Sequence, residues 1–172
     1  MASMDQKSAL DAGKSTLNLV LSFFPRVDAK ASAVFAIDTG MLGYLAAHIP
    51  PLASLRWWEF PVPLAAFVLT GLSLKHLYGV AFPNLKGGSG SLIYFSEISK
   101  RREAKFVDEF LAQSEPEHLK DVLGQTWRNS EILAEKFRDL NWAFIFMISS
   151  IPPWVMALAE FSVRVRTTSP TN

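Results

Sequence analysis

The chain contains no cysteine. Disulfides, thiolate metal sites and cysteine nucleophiles are therefore excluded. Histidine is nearly as scarce. His48, His76 and His118 stand far apart, with no metal-ligand spacing, and no metal is expected. A surplus of one charge is missing too. Seventeen Lys and Arg face sixteen Asp and Glu, a net of +1, which creates no long-range field toward nucleic acid. No catalytic constellation is legible either. His118 lies near Glu117 and Asp121, but no nucleophile stands at a recognisable spacing. The run Lys86-Gly87-Gly88-Ser89-Gly90-Ser91 lacks the Gly-Lys-Ser/Thr ending of a P-loop; its backbone amides could still cradle a phosphate, but a flexible linker is favoured. No enzyme and no cofactor are expected.

What the chain does have is a sharp segregation of charge. Between Ala31 and Phe82 only Asp38, His48, Arg56, Glu59, Lys75 and His76 are charged or titratable as bases, while residues 87–139 are densely and evenly charged. The pattern predicts an all-α integral membrane protein: three transmembrane helices, an N-terminal amphipathic helix, and a helical cytoplasmic segment continuous with the third span. The expected division is residues 1–30 for the amphipathic helix and 31–83 for a transmembrane hairpin, with spans at about 31–49 and 60–82. Residues 84–141 form the cytoplasmic segment, 142–163 the third span and 164–172 a tail. Pro50-Pro51 and Pro83 end the first two spans. Trp57 and Trp58 stand where an interfacial aromatic belt would lie, and Pro152-Pro153 should kink the third.

Residues 1–30 admit a second interpretation. Leu17 to Phe24 resembles a signal-peptide core, with Ala31-Ser32-Ala33 as a cleavage site. Leu10, Leu17, Val20, Leu21 and Phe24 share one helical face, however, which favours a helix lying on the inner membrane surface. Lys and Arg concentrate before residue 31 and in 84–141, so both segments are expected inside.

Asp38 lies seven residues inside the first span and Lys75 seven residues inside the second. At ~1.5 Å per residue both are about 10 Å deep, and an intramembrane pair is expected. Gly71, Lys75 and Gly79 share a face as a groove. Ala36, Gly40, Gly43 and Ala47 make a second small face on the first span, which predicts a homo-oligomer. In the cytoplasmic segment, Ser114-Glu115-Pro116-Glu117 is a capping box that starts a helix. Leu119, Leu123, Ser130, Leu133, Phe137 and Leu140 continue from it as a stripe toward the third span.

Three stretches carry a resemblance. They are Val27-Asp28-Ala29-Lys30-Ala31, then Ser91-Leu92-Ile93-Tyr94-Phe95-Ser96-Glu97-Ile98, then Asn129-Ser130-Glu131-Ile132-Leu133-Ala134-Glu135-Lys136-Phe137-Arg138. Their order and separation, with the spans, resemble the transmembrane effectors of Pycsar antiphage systems over roughly residues 15–163. The chain departs from that pattern at Ser96-Glu97, where a glycine–acid pair is expected. The resemblance implies an effector in the cell inner membrane. An adjacent uridylate or cytidylate cyclase would make its trigger, cyclic UMP or cyclic CMP, upon infection. The effector would impair the membrane and cause abortive infection and cell death. A cyclic pyrimidine nucleotide needs cations for its phosphate, an aromatic face for its base and amide-type groups for its edge. Tyr94, Phe95, Arg128, Asn129 and Lys136 are candidates, joined by Asp28 and Lys30 at the membrane edge. Cyclic UMP is favoured over cyclic CMP. The competing interpretation is a constitutive membrane scaffold or small channel component without a nucleotide ligand.

Overall fold

The structure, a computed structural model, describes residues 5–51, 56–82 and 88–168, with side chains as far as Ser162. It is all-helical, with no strand among the described residues. Helix α1 spans Gln6–His48, α2 Pro61–Ala81, α3 Phe95–Ile98, α4 Glu103–Ala112 and α5 Glu115–Thr168, with a 3-10 turn at Trp57–Glu59 before α2. The chain divides into two compact units. The first gathers 1–26 and 83–136, the second 27–82 and 137–172.

α1 is one helix of 43 residues that runs through the expected boundary at residue 30, with Pro25 inside it. Proline removes a single N–H, the donor to the Leu21 carbonyl, and the neighbouring turns hold the helix through that gap. α5 is longer still, 54 residues, and continues through Pro152-Pro153. At 1.5 Å per residue it extends about 80 Å, against about 30 Å for a bilayer core, so most of α5 must lie outside one.

The three long helices bury a common spacing. On α1 it is Gly13, Leu17, Val20, Phe24, Val27, Ala31, Val34, Asp38, Met41 and Leu45; on α2, Pro63, Ala66, Thr70, Ser73, Leu77 and Val80. On α5 it is Val122, Thr126, Asn129, Leu133, Lys136, Leu140, Ala143, Met147, Ser150, Trp154, Ala157 and Phe161. Steps of three and four alternate throughout, a 3.5-residue repeat that keeps one narrow seam facing its neighbours. The expected stripe on α5 is thereby corrected. Leu123 and Phe137 are exposed, because a 3.5 repeat starting from Val122 puts them beside the seam.

Helix ends follow local chemistry. Pro61 opens α2 where its missing N–H costs nothing, and the Phe82 amide donates back to the Tyr78 carbonyl at 2.9 Å to close it. At the start of α5 the Ser114 hydroxyl and amide both donate to one Glu117 oxygen, at 2.7 and 2.9 Å. One half of the expected capping box is thus formed, the Glu117 side chain reaching back to the Ser114 amide, while the Ser114 hydroxyl bonds the same carboxylate oxygen. The Ser114 hydroxyl, and then its amide, hold the Glu117 carboxyl below the usual range for glutamate.

Two helical stretches are long and apolar enough to cross a membrane, Trp57–Ala81 and Glu115–Ser162. α1 does not meet the same measure. Only 28% and 22% of their most apolar windows are buried within the chain, whereas the core helix of a soluble protein buries most of its length. In the second unit Phe35, Ile37, Leu64, Val68, Ile148, Val155 and Met156 all face outward. Such an apolar exterior is stable in lipid and costly in water.

Candidate functional site

The first unit is organised around residues 88–98. Ser91 is buried, and its hydroxyl oxygen accepts from the Ile93 and Tyr94 amides at 3.1 and 3.0 Å and from Gln125 Nε2 at 2.9 Å. Asp121 on α5 accepts from the Leu92 amide at 2.8 Å. Arg101 ties the other side: its guanidinium donates to the carbonyls of Glu97 (2.7 Å), Gly90 (2.9 Å) and Ser91 (3.2 Å) and to Glu109 Oε2 (2.8 Å). Gly90 has φ +81° and donates its amide to Glu97 Oε2 at 3.0 Å. Glu97 also pairs with Lys100. That bond, followed by the Gly90 amide, pulls its carboxyl below the usual range. Residues 88–91 are therefore a fastened turn, not the flexible linker their composition implied. Every backbone group so held is removed from competition with water.

Arg128 lies against this turn. A Cβ placed on Gly88 would overlap the Arg128 guanidinium, so the arginine takes this position only because the residue is glycine and would swing aside from a larger one. The half-buried guanidinium has no hydrogen bond and no carboxylate partner among the described residues. Beside the turn, the Tyr94 and Phe95 rings meet at 5.0 Å, tilted by 62°. Tyr94 is half-buried and Phe95 is 65% exposed, an open aromatic face.

The remaining expected ligand residues are placed differently. Asn129 folds back to donate to the Gln125 carbonyl at 2.8 Å. Lys136 is buried, its ammonium 5.6 Å from the centre of the Phe24 ring, and stands eight residues beyond Arg128 on α5, about 12 Å along the axis. Asp28 and Lys30 belong to the second unit, where both are exposed on α1.

The second unit is a three-helix bundle. Leu45, Ala66, Ala157 and Phe161 form a core packed by Val62, Phe67, Trp154 and Leu158. Trp154 Nε1 donates to the Met41 carbonyl at 2.9 Å, joining α5 to α1. Near the other end His76 stacks on Phe146 and Trp142 and meets Asp139 at 3.2 Å. Asp139 lies over Gly79, where a Cβ would stand 2.6 Å from its Oδ2.

The expected Asp38–Lys75 pair is not formed. Asp38 is fully buried and meets Ser73, whose Oγ lies 2.6 Å from Asp38 Oδ2 and 3.0 Å from the Ala143 carbonyl. Lys75 is exposed on another face of α2. Depth along the span was matched, but helix rotation was not: residues 66, 70, 73, 77 and 80 own the seam, and 75 falls between them. The expected Gly71–Lys75–Gly79 groove dissolves for the same reason. A Cβ on Gly71 meets nothing within 4 Å, whereas Gly79 faces Asp139. The sequence alone does not single out Ser73 and Arg101, and it presents Gly88, Ser91 and Asp121 in motifs without marking them as site residues. Ser73 has a usable signal in the 3-4 spacing of α2, and Ser91 in the motif that it opens.

An all-helical fold with two helices long and apolar enough to cross a membrane, and a polar unit fastened by its own hydrogen bonds, suits a membrane protein. The chain matches the Pycsar effector protein domain, PycTM, over residues 12–161, and it belongs to that family. No curated protein and no solved structure matches it.

Proposed function

We propose that this protein is the membrane effector of a Pycsar system, switched on by a cyclic pyrimidine nucleotide that docks on the turn at Gly88. Family membership supports the effector role. The observation that carries the ligand site is Arg128, a half-buried guanidinium lying on a fastened glycine turn without a carboxylate partner among the described residues. A cyclic nucleotide brings one phosphate charge, which a guanidinium binds through charge-assisted hydrogen bonds. Tyr94 and Phe95 supply the stacking face for the base. Cyclic UMP is the favoured ligand, made by an adjacent cyclase during infection. The chain itself performs no chemistry; its output is impairment of the cell inner membrane and abortive infection.

In this reading α1, α2 and α5 each cross the membrane, with residues 1–30 and 84–141 on the cytoplasmic side. The small face of α1 supports a homo-oligomer: Gly40 and Gly43 are exposed and a Cβ on either meets nothing within 4 Å. The ligand acts by binding one arrangement of the helices better than another, since equal affinity would shift nothing. α5 gives the physical connection, because one helix carries both Arg128 and Trp154.

Calorimetric titration of the protein in lipid discs tests the site. Cyclic UMP should bind more tightly than cyclic CMP, and Arg128→Ala should weaken binding at least tenfold, the ~1.5–3 kcal/mol of a charged hydrogen bond. Wild-type affinity in Arg128→Ala would remove the site. Absence of depolarisation in cells given either nucleotide, with the protein inserted, would remove the effector reading.

A further inference from the structure

We infer that Asp38 is held inside the bundle as a neutral carboxylic acid, a proton-binding site whose proton completes a hydrogen-bond chain across α1, α2 and α5. The inference stands on the geometry of the second unit and does not require the nucleotide site.

The count of hydrogens carries it. Ser73 Oγ lies 2.6 Å from Asp38 Oδ2 and 3.0 Å from the Ala143 carbonyl oxygen. A serine hydroxyl has one hydrogen to donate, and a carboxylate and a carbonyl are both acceptors only. With Asp38 ionised, one of these two contacts is oxygen against oxygen with no hydrogen between. With the proton on Asp38 Oδ2, both are satisfied: the acid donates to Ser73, and Ser73 donates to Ala143. The serine has also left the usual arrangement, in which a helical hydroxyl bonds back to a carbonyl one turn earlier. Thr70 does so to Ala66 at 2.9 Å and Ser150 to Met147 at 2.7 Å.

The second oxygen gives an independent indication. Asp38 Oδ1 is buried and has no hydrogen-bond partner among the described residues. Half of a carboxylate charge there would be unpaired and unsolvated, whereas the carbonyl-type oxygen of a neutral acid carries no such charge. No described cation answers it. On α2, Lys75 is exposed, and His76 is engaged by Asp139, Trp142 and Phe146. On α5, Asp139 is occupied by His76, and the seam continues with Ala143, Met147 and Ser150. On α1 the flanking seam residues are Val34 and Met41.

The proton is thus a ligand of this packing of the helices. Whatever separates α1 from α2 opens the carboxyl to water and lets the proton go, and ionised Asp38 opposes re-closure.

Infrared spectroscopy of the full chain in lipid discs at neutral pH tests this. A protonated-carboxyl band is expected, shifted by ¹³C-aspartate labelling and lost in Asp38→Asn but kept in Asp139→Asn. No label-sensitive band in the wild type, or a band that survives Asp38→Asn, overturns the inference. A stability comparison adds a second readout. Asparagine still offers a donor to Ser73, so Asp38→Asn should unfold close to wild type, and Asp38→Leu and Ser73→Ala at clearly lower temperature. If Asp38→Asn were as damaging as Asp38→Leu, the carboxyl would be acting as an anion and the inference would fail.

Discussion

The two units handle carboxylates in opposite ways. In the first, Glu97 is fastened by Lys100 and the Gly90 amide, Glu109 by Arg101, and Glu117 by Ser114. Each of the three is met by a cation, an amide or a hydroxyl, and none is fully buried. In the second, Asp38 is fully buried against one hydroxyl, with no cation paired to it among the described residues. α1 and α5 contribute to both units with the same 3.5-residue spacing. The difference lies in placement: Glu97, Glu109 and Glu117 stand off the seam, on α3, α4 and the first turn of α5, whereas Asp38 is itself a seam position and meets a serine.

The comparison can be broken most forcefully at Arg101. One side chain holds three carbonyls and Glu109 there, so Arg101→Ala should cost the first unit about 2–4 kcal/mol, more than a single charged hydrogen bond. Amide hydrogen exchange should accelerate at residues 88–98 and stay unchanged in α2. Acceleration in α2 as well would show that the units do not unfold separately.

A smaller effect is expected at Gly79. The Cβ of Gly79→Ala would stand 2.6 Å from Asp139 Oδ2 and push that carboxylate off His76. The loss should be about 1 kcal/mol, that of a partly exposed pair plus local strain, read as a lowered unfolding temperature in lipid discs. Gly71→Ala, where a Cβ meets nothing, serves as the neutral control.

The smallest effect concerns pH at the start of α5. The folded state holds the Glu117 carboxyl below its ordinary range, so this contact contributes above the unfolded carboxyl's titration and is lost as pH falls through the folded one. Acidification should therefore fray residues 114–118 first. Ser114→Ala should raise the pH at which that happens, measured by the carboxyl and amide resonances of Glu117.

Much of the architecture was legible because it depends on short-range chemistry. The α5 start at Ser114, the end of α2 before Pro83 and the apolar run from Phe60 are each written in a few adjacent residues. The family followed from three ordered motifs. The candidate site was legible in type but not in assembly. Arg128, Tyr94 and Phe95 share the first unit, but Gly88 reads as linker, and Arg101 counts only among the Lys and Arg of 84–141. Asn129 and Lys136 have other engagements, which no spacing discloses.

The sequence by itself determined that the chain is helical and suited to a membrane, that its polar segment lies between two apolar ones, and which family it belongs to. Periodicity, composition and local caps act within a few residues and survive in the linear text. Only the tertiary structure decided which face of each helix turned inward. Helix rotation is set by the combined packing of all seam positions, and two residues of offset on α2 separate Lys75 from Ser73. That offset replaces an expected ion pair with a fully buried acid and a single hydroxyl.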